Sequence, residues 1–187
     1  MAKTVRGTYL SSDEFKSKKV MFEEHSPVLQ YKWSAGVAVS KFLNGLKEGK
    51  IIGIHCKVCD RIVTPPRAFC EVCMSPIHDY VELKTTGKVN TFTICYIDMN
   101  ADRVEKPTVP VVVEIDGTKP PAGFLHVLGE VRIVKGKTGR EGVKAFAKDG
   151  SEVTMGTRIE AVFKPEKDRK GDITDILYFR PVKGVHK

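Results

Sequence analysis

Two Cys-x-x-Cys knuckles, Cys56/Cys59 and Cys70/Cys73, stand ten residues apart in the stretch HCKVCDRIVTPPRAFCEVC, His55 to Cys73. Each knuckle bends the backbone tightly enough to put two sulfurs on one side. Two knuckles facing each other supply four thiolates at the corners of a tetrahedron, the arrangement a structural zinc ion accepts. The spacer suffices for a short β-hairpin with a knuckle at each end, a zinc ribbon. Pro65-Pro66 within it removes two backbone donors and reads as rigid loop, not central strand. Four thiolates leave no open position for water or substrate, so the expected metal is structural. A rubredoxin-type iron centre would use the same ligands. A pair of disulfides would need an oxidising compartment. Thioredoxin-like redox chemistry uses one such motif ahead of a helix, and no helical pattern separates these two. His55 and His78 read as flanking residues, since four cysteines complete the set.

The chain has 187 residues, enough for one good core or a small domain with an appendage. Its 41% hydrophobic content is that of a folded protein. The formal charge of +8 falls to about +6 once four thiolates and one Zn²⁺ are counted. Such a balance suits partners carrying phosphate: nucleic acid, a phosphorylated cofactor or an acidic protein. The N-terminal MAKTVRGTYLSSDEF contains no apolar signal region, and no run has the length of a membrane span. A cytoplasmic protein is expected, with Cys95 in TFTICYI a buried strand residue.

Along the chain, Ser11 and Glu14 offer a capping box for a short helix reaching about Phe22. From Trp33 to Glu48, Ala35, Ala38/Val39, Phe42/Leu43 and Leu46 recur at helical spacing. Ser34 is placed to cap that helix and Gly49 to end it in the left-handed conformation. Lys50 to His55 leads into the ribbon. Beyond it the pattern turns to β: Val81–Lys84, then one long strand from Val89 to Ile97. A polar loop follows from Asp98 to Lys106, then strands at 109–115, 122–128, 158–163 and 173–179. Residues 131–134 extend a strand toward GKTGREG, which reads as an exposed hairpin tip. Five or six short strands without intervening helices predict a small barrel, an OB-fold before an SH3-like one. The expected division is an N-terminal helical arm (1–49), a ribbon (50–78) and a barrel (79–187) with a basic insertion around 135–150.

No catalytic set stands out. GxSxG, P-loop, GxGxxG and HExxH patterns are all missing, and the carboxylates sit in solvated contexts. His126 in GFLHVLG is the one histidine inside an expected barrel strand and reads as structural. Basic residues gather in two loops: Lys135, Lys137, Arg140 and Lys144 in one, Lys164, Lys167, Arg169 and Lys170 in the other. Together they are candidates for a phosphate cradle. Stacking of single-stranded nucleic acid is the alternative, weakened because Phe92, Tyr96 and Phe124 have apolar neighbours and read as core.

The helix ending FLNGLKEGKIIG, the two knuckles with Pro-Pro-Arg before the second, and the segments PVVVEIDG, AGFLHVLG and MGTRIEAVF resemble the DUF35 family over roughly residues 33–180. The most specific part runs from Leu46 through Cys73. The resemblance implies a rubredoxin-like zinc ribbon joined to an OB-fold domain, with Cys56, Cys59, Cys70 and Cys73 as zinc ligands. Asp60 stands where family members carry the glycine of CxxCG. The stretch 135–150 is similar to an insertion relative to shorter members. The family is associated with thiolase-like enzymes or acyl-CoA hydratases, as scaffold subunits that help accommodate the coenzyme A moiety. The implied role is a non-catalytic subunit of a thiolase-type complex, with the reacting residues on the partner.

Overall fold

The structure, a computed structural model, describes residues 11–17, 30–98, 102–135 and 142–182. The chain divides into two units, Met1–Ser34 and Ala35–Lys187. In the first, α1 (Ser12–Lys16) begins with the expected capping box: the Ser11 backbone N–H donates to Glu14 Oε2 at 2.8 Å and the Glu14 N–H to Ser11 Oγ at 3.3 Å. The helix is one turn long among the described residues, and its expected continuation to Phe22 lies largely outside them.

The second unit opens with α2 (Gly36–Lys47), which starts later than a Ser34 cap would set it. Ala35 is the capping residue, without a side-chain bond, and Gly36 sits at φ 67°. The far end follows expectation: Gly49 has φ 80° and its N–H donates to the Leu46 carbonyl at 2.9 Å. The helix buries Phe42 and Leu46 in the same cluster as Val113, Ile159 and Phe179 of the strands. It therefore belongs to the barrel core.

Strand β1 (Ile51–Cys56) pairs on one side with β2 (Arg61–Val63) and on the other with β3 (Asp79–Leu83), giving the ribbon sheet β2-β1-β3. Pro65 and Pro66 follow β2 as loop. Next come β4 (Thr86–Phe92), β5 (Cys95–Ile97), β6 (Arg103–Thr108), β7 (Pro110–Ile115), β8 (Gly123–Val127), β9 (Val131–Lys135), β10 (Val143–Ala147), β11 (Arg158–Phe163) and β12 (Ile176–Pro181). Five of these form one antiparallel sheet in the order β12-β11-β4-β7-β8. Val89, Val111, Val113, Ile115, Ile159 and Phe179 project from it into the core. The sheet curls until Leu128, just past β8, meets Phe179 of β12 in a single parallel bridge. Among the described residues no ladder completes the circle, so the OB-like barrel is partly open.

Four readings change. The long strand 89–97 is two: β4 carries a bulge between Val89 and Thr91, which twists it, and the chain leaves the sheet after Phe92. The polar loop 98–106 is in good part β6, paired with β5. That hairpin is exposed along most of its length, so RVEKPT lacks the alternation that marks a half-buried strand. The hydrophilic insertion contains β10, paired with β9, while its expected tip falls outside the described residues. At the other end of the chain, a 3₁₀ turn at Ile173–Asp175 precedes β12, which starts later than expected.

Candidate metal centre and the basic loops

The β1–β2 hairpin puts Cys56 opposite Arg61, so the first knuckle is its turn. The second knuckle is closed by main-chain bonds: the Cys70 N–H donates to Ser75 O at 2.9 Å and the Met74 N–H to Cys70 O at 3.0 Å. Facing each other, the four cysteines place all their sulfurs within 4.8 Å of one another. Cys56 Sγ and Cys73 Sγ are 3.6 Å apart. A zinc ion with bonds of about 2.3 Å to four sulfurs separates them by about 3.8 Å, so the residues fit the ion. Cys56 and Cys70 are buried; Cys59 and Cys73 are half-buried. His55 and His78 are not in the set: His55 Nε2 lies 3.0 Å from Asp60 Oδ1, and His78 is exposed.

Electrostatics in the cluster favour a cation. The Ser75 hydroxyl, 3.3 Å from Cys73 Sγ, and the Ser75 backbone N–H bring the Cys73 thiol down to about 6. Cys59 hydrogen-bonds to that thiolate, and this bond, with burial and the neighbouring Cys70, pushes its thiol up to about 12. A divalent ion at the centre removes the conflict by stabilising all four thiolates. Asp60 and Met74, each one residue past a knuckle's second cysteine, both adopt positive φ, at 52° and 58°. Asp60 thus performs the turn a glycine would. Its carboxylate also pairs with Lys119 from the β7–β8 connection, which holds it below the usual carboxylate range. Ile62 and Lys119 exchange two backbone hydrogen bonds, both 2.8 Å, so the ribbon is fastened to the barrel at this point. Nothing in the sequence marked Lys119 for that part.

Of the eight candidate cations, Lys135 and Lys144 lie on β9 and β10, and Lys164, Lys167, Arg169 and Lys170 follow β11. Lys137 and Arg140 lie outside the described residues. Lys144 pairs with Glu152 at 2.9 Å, and Lys135 Nζ stands 5.2 Å from the centre of the Tyr96 ring. On the second loop, Lys164 Nζ donates to Thr174 Oγ1 at 3.0 Å. Arg169 Nε donates to the Lys164 carbonyl at 2.7 Å, and its guanidinium lies over the Phe163 ring. Lys167 and Lys170 are exposed. The loop is shaped by Asp175, a fully buried carboxylate accepting backbone N–H bonds from Lys170, Gly171 and Asp172, the shortest 2.7 Å. Burial alone would raise this carboxyl; the N–H groups of Lys170, Asp172 and Gly171, with the Lys164 charge, outweigh it and keep it low.

His126 is half-buried and meets the Phe179 ring edge-on, 5.6 Å between centres. Burial pushes its pKa down, so it is a neutral wall residue. Phe92 and Phe124 pack on the core as expected. Tyr96 and Cys95 lie half-buried on β5.

Residues 43–79 match the family described as ChsH2, rubredoxin-like zinc ribbon domain. Among solved structures, the chain is similar to a DUF35-family protein of unknown function from Sulfolobus solfataricus. The two are 27% identical over 68% of this chain and 78% of that one, with a TM-score of 0.49. It is also similar to the Ltp2-ChsH2(DUF35) aldolase, at 18% identity over 80% of this chain and 98% of that one, TM-score 0.50. No curated protein matches.

Proposed function

From its place in the DUF35 family, with a ChsH2-type zinc ribbon at residues 43–79, we propose that this chain is a non-catalytic scaffold subunit of a thiolase-type acyl-CoA enzyme complex. The observation that carries the reading is the four-cysteine ribbon fastened to a partly open OB-like sheet. That fold is shared with the Ltp2-ChsH2(DUF35) aldolase. Zinc held by Cys56, Cys59, Cys70 and Cys73 supplies cross-linking, not chemistry, since all four positions are protein sulfurs. The reacting groups then belong to the partner, a thiolase-like or acyl-CoA hydratase subunit. The chain's part is to stabilise that partner and help receive coenzyme A. Of the described candidate cations, Lys167 and Lys170 are exposed and suited to CoA phosphates, ahead of the engaged Lys144 and Arg169.

The test is a nuclease-treated pull-down of the tagged chain from its native source, with the bound proteins identified by mass spectrometry. A stoichiometric thiolase-type or hydratase subunit is the expected result. Recovery of nucleic-acid machinery alone would favour the single-stranded nucleic-acid alternative, whose affinity would fall steeply with salt. Phe92 and Phe124 speak against that alternative, because they pack on the core and not on a face where bases stack. Removing residues 1–32 should abolish co-purification if the N-terminal arm docks, and it spares α2, whose Phe42 and Leu46 the core needs.

A further inference from the structure

We infer that the open seam between β8 and β12 is a docking groove for an extended, apolar segment of the partner subunit, added as a strand along β8 and carrying a carboxylate toward Lys164. The inference rests on the subunit reading above and names the surface it uses. Among the described residues each of the two strands has a ladder on one side only, β8 with β7 and β12 with β11. They touch in the single bridge at Leu128 and Phe179, where the Gly129 N–H donates to the Phe179 carbonyl at 2.9 Å. From there the edges part around a groove of about 430 Å³. Leu125, Val127, Ile173 and Leu177 line it and keep 65%, 37%, 39% and 44% of their surface exposed.

The main chain of β8 offers the register. Leu128 N–H donates to Val109 O, and Ala122 O accepts from Ile115, so even-numbered residues turn their polar groups to β7. By alternation, those of Leu125 turn toward the seam. Natural sheet edges are blunted by charges, prolines or bulges, and β8 (GFLHV) has none of these. Among the described residues Lys164 is the one charged side chain of the lining, which calls for an acidic group on the occupant. A small ligand is the poorer fit, because ligand sites enclose most of the molecule and these walls are open. A strand laid along β8 needs only one covered edge and alternate apolar pockets.

The experiment uses the full zinc-loaded chain and the thiolase-type subunit that co-purifies with it. Leu125→Lys places a charge on the edge at an exposed position and should weaken the complex at least about tenfold. Metal content and Tm should stay unchanged, and Leu125→Val should retain binding. Lys164→Glu should weaken it as well. Hydrogen exchange at the Leu125 amide should slow on complex formation. A complex indifferent to Leu125→Lys, with Leu125 exchange unaltered, overturns the docking groove while leaving the subunit reading intact. If no such subunit accompanies the wild-type chain, the subunit reading fails and the inference goes with it. If the free chain self-associates and Leu125→Lys abolishes that, the occupant is a second copy and the proposal is wrong.

Discussion

Met74 and Asp60 occupy equivalent places in the two knuckles, yet only Asp60 suits the left-handed backbone both adopt. Asp is tolerated there because its short polar side chain bonds locally, whereas Met pays about 1–2 kcal/mol for the conformation. Met74 is 67% exposed, so little burial offsets that cost. Met74→Gly should therefore stabilise the chain by roughly 0.5–1 kcal/mol, the gain being reduced by glycine's greater freedom when unfolded; urea titration of the zinc-loaded protein measures it. Cys70→Ser removes a buried ligand and should abolish stoichiometric zinc in elemental analysis, with a large fall in Tm. Asp175 makes a pH prediction. Its folded pKa lies below the usual 3.8, so the stability it contributes is full above the unfolded value and is lost as pH falls through the folded one. Asp175→Asn should cost on the order of 2–3 kcal/mol at neutral pH and flatten the acid limb of a Tm-against-pH curve.

Among the elements, β8 is set by its first residue. A Cβ at Gly123 would lie 1.8 Å from the Val113 carbonyl oxygen, in backbone that cannot give way without parting β7 from β8. Gly123→Ala should destabilise by more than about 3 kcal/mol, a loss read as a drop in the denaturation midpoint. Gly45 does similar service on α2, where an added Cβ would meet Ile52 of β1 at 2.4 Å. The periodicity of 33–48 was enough to predict that helix, because its apolar stripe is what the core selects. The break between β4 and β5 could not be read the same way. Apart from Asn90, which sits at the bulge against β7, every residue from Val89 to Ile97 suits a strand, and the ladder with β7 nonetheless ends at Phe92.

For the whole molecule, the ribbon and the sheet meet through the Ile62–Lys119 pair of backbone bonds, with the Asp60–Lys119 ion pair beside it. Both side chains of that ion pair are more than 60% exposed, at 64% and 65%. Lys119→Ala should accordingly cost less than about 1 kcal/mol, and the Ile62 and Lys119 amides should remain protected in hydrogen exchange. Protection lost there would show that the ion pair, not the main chain, couples the two parts. The four-cysteine cluster, the ribbon hairpin and the β character of the remainder were legible in local spacing, because a knuckle's sulfurs converge within four residues and a strand's pattern repeats within six. The open seam was not. Leu125 and Leu177 are ordinary apolar residues in their own strands, and they become an uncovered edge only because the curled sheet closes at Leu128 and Phe179 and nowhere else among the described residues. Contacts between residues fifty positions apart depend on how twist and bulges accumulate across five strands, a sum that no short stretch of chain encodes.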